Sequence, residues 1–161
     1  MKRAWMMLAV PVAVFTADRA SKIWIDNNVS AFDTLTVIPG FFNIIHAENR
    51  GMAFSLLADS SEFLRKTVLV GLSGALTVLV GWMLWQALAA GNRLQQIALG
   101  LILGGAVGNL WDRVERGAVT DFLDFYAGSY HWATFNIADT GITSGAILLG
   151  IEMLINRKAA S

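Results

Sequence analysis

Two aspartates are placed to do chemistry. Asp121, in the run RGAVTDF, and Asp139, in FNIAD, bracket a polar loop that leaves one apolar segment and leads into another. Both can therefore lie at one face of a membrane, where ionisable groups are costly and are functional candidates by default. Two carboxylates sharing a proton can hydrolyse an amide without a thiol or a metal. One takes a proton from the attacking water while the other donates to the carbonyl oxygen. Close approach in a poorly solvated site raises one pKa, so the pair titrates as a unit. Asp121 and Asp139 are thus the candidate catalytic dyad of an integral membrane aspartyl protease. The chain contains no cysteine, which excludes a thiolate nucleophile, a disulfide framework and a cysteine-ligated metal.

Amide and guanidinium groups gather around the two acids in sequence. Asn109 and Arg113 end one apolar run, and Asn136 lies one helical turn before Asp139; asparagine can orient a carboxylate or hold a substrate backbone. Arg113 fits an acidic group or a polar lipid portion, and equally a pair with Asp112 or Glu115. Asp124 is a rival acid, but in an alternating stretch from Thr120 to Asp124 it faces away from Asp121. His46 and His131 are isolated and read as interfacial rather than as ligands, and no metal-binding pattern or cofactor motif is present. Upstream, Glu48-Asn49-Arg50-Gly51 sets polar groups and a flexible backbone point amid apolar neighbours, which suits a tight turn and a peptide-gripping loop alike.

The elements that must position these residues follow from composition and hydropathy. The 161 residues are 55% hydrophobic and 15% charged, with mean hydropathy +0.54, more apolar and less charged than an ordinary soluble domain. Formal net charge is +0, so no basic footprint argues for nucleic acid. The expectation is a single membrane-embedded domain over 1–161, an all-α integral membrane protein with four transmembrane helices at about 4–25, 67–90, 94–112 and 133–155. Outward loops cover 26–66 and 113–132, the first forming a small extracytoplasmic β-sheet around the Pro39-Gly40 turn. The basic start at Lys2-Arg3 fits a cleaved signal peptide, but the expectation is an uncleaved first helix with both termini cytoplasmic. Asp18 and Lys22 fall four apart on that helix and can pair. Glycines four apart, at Gly100, Gly104 and Gly108 and again at Gly141 and Gly145, suit close helix packing in lipid. Glu152 reads as an interfacial partner of Arg157 and Lys158.

The runs GGAVGNLWDR, RGAVTDF and FNIAD, with ENRGMAF upstream, resemble the ordered motifs of the bacterial lipoprotein signal peptidases (signal peptidase II), and the size and four-span pattern match along essentially the whole chain. The resemblance implies a monomeric inner-membrane aspartyl endopeptidase with its active site near the outer face. It would use no cofactor or metal, contact membrane lipid, and remove the signal peptide from diacylglyceryl-modified prolipoproteins just before the lipidated cysteine. It also implies that Asp121 and Asp139 are catalytic and that Asn49, Gly51, Asn109, Arg113 and Asn136 support the site or the substrate, while Asp18 and Lys22 match a family pair. Met52 departs from the alanine common after that glycine. The alternative from another class is a small proton-coupled transporter, whose carboxylates belong near the midplane between repeats; hydrolysis in detergent without an ion gradient separates the two.

Overall fold

A computed structural model of the protein describes residues 2–51 and 61–159; Met52 and Ser60 lie outside them. The order is α1 (Lys2–Asn28), β1 (Thr34–Ile38), β2 (Phe42–Asn49), α2 (Glu62–Ala90), α3 (Arg93–Arg116), β3 (Val119–Ala127), β4 (Tyr130–His131) and α4 (Ile137–Ala159). Among the described residues, three helical segments are long and apolar enough to cross a membrane: Lys66–Ala90, Arg93–Arg116 and Ile137–Asn156. Helix α1 is long enough too, at 27 residues, but it carries Asp18, Arg19, Lys22 and Asp26 in its second half and stands outside that set.

Local chemistry sets the ends of these helices. Ser61 caps α2 by accepting from Leu64 N at 3.3 Å, satisfying one of the amides a helix start leaves unpaired. Gly91 closes α2 at φ 77° and Asn92 caps α3, so the turn between them needs only these two residues. Gln96 locks it by donating to the Ala87 carbonyl at 2.8 Å.

Helix α3 is the spine. In its most apolar window 44% of residues are buried, against 6% for α2, so α3 is surrounded and α2 looks outward. Its glycines explain the contact. A Cβ on Gly104 would come within 2.6 Å of the Pro11 carbonyl oxygen, and one on Gly105 would strike the Ala138 carbonyl. On α4, a Cβ at Gly145 would meet the Ala98 carbonyl at 2.5 Å. Backbones of α1 and α4 thus press directly on α3, the close approach that small residues permit in lipid.

The sheet is larger than the first loop alone suggests. Strands run antiparallel in the order β1-β2-β3-β4, so both loops build it. Register pairs Ala47 with Asp121 and Asn43 with Asp124, which puts the end of β2 beside the first acid. Phe135 then joins β3 through a bridge to Leu123, with Leu123 N donating to the Phe135 carbonyl at 2.9 Å. Stacked rings of Phe42, Phe125 and Phe135 support that junction. The chain enters α4 from there, with Asn136 alone between Phe135 and Ile137.

Candidate active site

Asp121 and Asp139 come together because β3 and the start of α4 are tied at Phe135. Asn136 is the hinge pin of that arrangement: its Oδ1 accepts from Asp139 N at 2.9 Å, capping α4, and its Nδ2 donates to Asp121 Oδ1 at 2.7 Å. On the other side Asn49 Nδ2 donates to Asp121 Oδ2 at 3.0 Å, while its own Oδ1 takes Gly51 N at 2.9 Å. Gly51 reaches this turn at φ 74°, a left-handed conformation that glycine adopts without strain. From α3, Asn109 Nδ2 donates to Asp139 Oδ1 at 2.7 Å. Three amides from three elements therefore grip two carboxylates.

Electrostatics follows from the geometry. Asp121 is only 2% exposed, and burial pushes its carboxyl from the ordinary 3.8 up to about 6. The nearby charge of Asp139 pushes the same way, while the Asn49 and Asn136 amides and the Lys22 ammonium pull back. A buried carboxyl with a like charge beside it and donors around it is the arrangement that lets a pair hold one proton between two acids.

Arg113 lies within the electrostatic reach of Asp139, Asp121 and Asp112. Its Nη1 meets only the Asn109 carbonyl, at 3.4 Å, and among the described residues it forms no ion pair. The pairing with Asp112 or Glu115 open in the sequence is not made: Asp112 faces Arg19 and Lys22, and Glu115 faces Arg19 and Arg116. Half-buried and uncommitted, its guanidinium points a charge at the site.

Asp18 and Lys22 do pair, at 2.8 Å, both fully buried. Asp18 Oδ1 also accepts from Ala138 N at 3.0 Å, and Lys22 Nζ donates to Asn109 Oδ1 at 3.2 Å. Lys22 lies 2.7 Å from Asp112 Oδ2 as well, an ion pair at angles outside hydrogen-bond geometry. Sequence reasoning missed Asp112 and Arg19; a carboxylate inside the NLWDR run was the one available signal, since its partners lie about a hundred residues away on α1.

The remaining acids and histidines stand apart from the pair. Asp124 binds the His131 ring at 2.8 Å and the Asn43 amide at 3.0 Å. Burial alone would raise its carboxyl, but these two partners hold it below the ordinary value. His46 faces the Val29 carbonyl and Asp26. Glu152 takes the amides of Asn92 and Asn156, a clasp between the α2–α3 turn and α4; the side chains of Arg157 and Lys158 lie outside those described.

Two cavities meet over the dyad. One, of about 370 Å³, is lined by Asp139, Thr140, Thr143 and Ser144 under the 132–135 segment. The other, of about 280 Å³, is lined by Ala47, Glu48, Asn49, Arg50 and Asp121. Ala133 and Thr134 belong to both, so a chain laid across them would pass both carboxylates.

Fold and site together define a helical membrane protein with a clamped carboxylate pair at the sheet end of its bundle. Comparison with known proteins narrows this. Residues 10–155 match the family described as signal peptidase (SPase) II. A lipoprotein signal peptidase of Solibacter usitatus is 47% identical over 157 residues, covering 98% of this chain and 95% of that one. One from Yersinia pseudotuberculosis serotype O:1b is 42% identical over 148 residues, covering 92% and 85%. A bacterial membrane enzyme solved by the in meso method at 2.3 Å resolution superposes with a TM-score of 0.79 at 29% identity, over 97% of this chain and 92% of that one. The chain belongs to the signal peptidase II family.

Proposed function

We propose that this signal peptidase is an aspartyl endopeptidase that removes the signal peptide from diacylglyceryl-modified prolipoproteins, cutting before the lipidated cysteine, with Asp121 and Asp139 as the catalytic pair. The observation that carries the reading is the clamp: three amides, each with its carbonyl end occupied, present donors to two carboxylates beside paired cavities. The pair activates a water by taking its proton as oxygen attacks the scissile carbonyl carbon, and the shared proton passes to the carbonyl oxygen. Collapse of the tetrahedral species breaks the C–N bond as the leaving nitrogen is protonated. Asn49, Gly51, Asn109 and Asn136 hold the pair, Asp18 and Lys22 hold that frame, and Arg113 faces polar parts of the substrate.

The same reading makes 1–161 one domain with four spans, α1 included. Its charges support this, because Asp18 and Lys22 turn inward to a neutralised cluster instead of toward lipid. The protein then works as a monomer in the inner membrane, surrounded by lipid, with cytoplasmic termini and its sheet and dyad at the outer face. The proton-coupled transporter is not favoured by the family match. Purified protein incubated in detergent, without an ion gradient, with a lipid-modified prolipoprotein is expected to release the signal peptide and a product whose mass begins at the modified cysteine. Cleavage elsewhere, or none, sinks the proposal. Cysteines at Ser129 and Arg93 are expected to be labelled from opposite sides; labelling of both from one side rules out the four-span arrangement.

A further inference from the structure

We infer that the quartet of buried Asp18, Lys22 and Asp112 with part-buried Arg19 is an orientation lock for the Asn109 amide, with Lys22 as its positioning residue; the kinetic part of this inference rests on the function proposed above. The two ends of an asparagine side chain have nearly the same shape, and a half-turn exchanges donor for acceptor. At this site the exchange matters. With Nδ2 toward Asp139, Asn109 supplies a donor to a carboxylate; reversed, it sets a carbonyl oxygen against one.

Each of the three clamping amides needs something that forbids reversal. For Asn49 it is Gly51 N and for Asn136 it is Asp139 N, backbone groups that only donate. Asn109 sits inside α3, where backbone amides are consumed by the helix itself. Its carbonyl end needs a side-chain donor: Lys22 Nζ stands 3.2 Å away, and Asn136 Nδ2, held closer to Asp121 at 2.7 Å, reaches it only at 3.4 Å. An ammonium has three donors and no acceptor, so reversal would create two repulsive contacts at once.

The rest of the quartet makes a buried ammonium tolerable there and aims it. Lys22 donates to Asp18 Oδ2 at 2.8 Å and has Asp112 Oδ2 beside it at 2.7 Å, so two carboxylates flank the ammonium that reaches Asn109. Arg19 neutralises Asp112 from the far side, giving two acids and two bases. Asp18 also holds Ala138 N at 3.0 Å, which ties the first turn of α4, and hence Asp139, to the same cluster. Gly108 leaves the room: a Cβ on it would lie 2.5 Å from Asp18 Oδ2.

Lys22→Ala would strand buried carboxylates, so the test uses the charge-balanced pair Lys22→Met with Asp18→Asn. Arg19 still neutralises Asp112 in that variant, and the new amide at 18 still accepts from Ala138 N. Lys22→Met with Asp112→Asn is the second version, should the first not fold. Turnover of lipid-modified prolipoprotein is expected to fall about 10- to 100-fold in kcat with KM little changed. In an Asn109→Ala background the same substitutions should cost nothing more, because the group they orient is gone. An equal loss in both backgrounds overturns the lock. Nitrogen-15 NMR of the Asn109 side chain reads the lock without cleavage: its amide protons should be protected from exchange in the parent and lose protection in the variant. Unchanged protection overturns the inference. Absent turnover in a parent that shows the protection overturns the proposed function and leaves the lock standing.

Discussion

Replacing Asn49 with alanine removes one donor from Asp121 and tests how the pair is tuned. The lost contact is Asn49 Nδ2 to Asp121 Oδ2 at 3.0 Å. A hydrogen bond to a charged group contributes about 1.5–3 kcal/mol when sealed from water. Asn49 is exposed, so solvent refills part of the gap and the loss is about 1 to 1.5 kcal/mol, roughly one pKa unit. Donors favour the ionised carboxylate, so their removal raises the Asp121 carboxyl from about 6 toward about 7. A pair that works while holding one proton loses activity when that proton leaves, so this group sets the alkaline limb of kcat/KM, which reports the free enzyme. Asn49→Ala is therefore expected to turn over about tenfold more slowly, yet to keep activity to higher pH. The assay is kcat/KM on a lipid-modified prolipoprotein across the pH range, with thermal unfolding in parallel to show that the fold survives. An alkaline limb that stays put or moves down refutes the reasoning.

Asp121→Asn and Asp139→Asn should each nearly abolish cleavage, the double variant should be little worse, and Asp124→Asn should retain substantial activity; single-turnover rates on folded protein decide. Asp121 also couples stability to pH. Its folded-state value of about 6 lies above the ordinary 3.8, so its contribution is full below about pH 4 and is lost as pH rises through about 6, a fall of up to about 3 kcal/mol that unfolding should show in the parent and not in Asp121→Asn. Gly108→Ala should destabilise by about 1–3 kcal/mol, because its methyl would meet Asp18; a melting temperature equal to the parent's counts against the packing described. Asn92→Ala removes both the α3 cap and one amide from Glu152 and should lower stability by about 1–3 kcal/mol while sparing kcat, since both contacts lie at the far end of α4.

Residue type and local order carried much of this site. Both acids, Asn109 and Asn136 are legible because each sits at a boundary between apolar and polar sequence, and the Asp18 and Lys22 pair because its spacing is helical; Asn49 and Gly51 came from the family resemblance, since their tetrapeptide alone suits a plain turn as well. What could not be read is contact between distant segments. Nothing in RGAVTDF says that β3 lies beside β2, or that Phe135 joins it and so delivers Asn136 to Asp121. Arg113 next to Asp112 suggests a pair by adjacency, yet neighbours on a helix point about 100° apart, and α1 claims the acid instead. The contact of Glu152 with Asn92, across the bundle, is likewise invisible in sequence.

Asn136 holds α4 with one end of its side chain and Asp121 with the other. The start of a transmembrane helix is also the point that moves when lipid thickness changes, since a segment too long or too short for its bilayer tilts to fit. Any tilt of Ile137–Asn156 therefore reaches the buried Asp121 carboxylate by two routes, the Asn136 side chain and the Phe135 bridge to β3. The setting of the two carboxylates is thus joined to how α4 sits in its bilayer, and acyl-chain length belongs among the conditions to be held fixed when the pair is assayed.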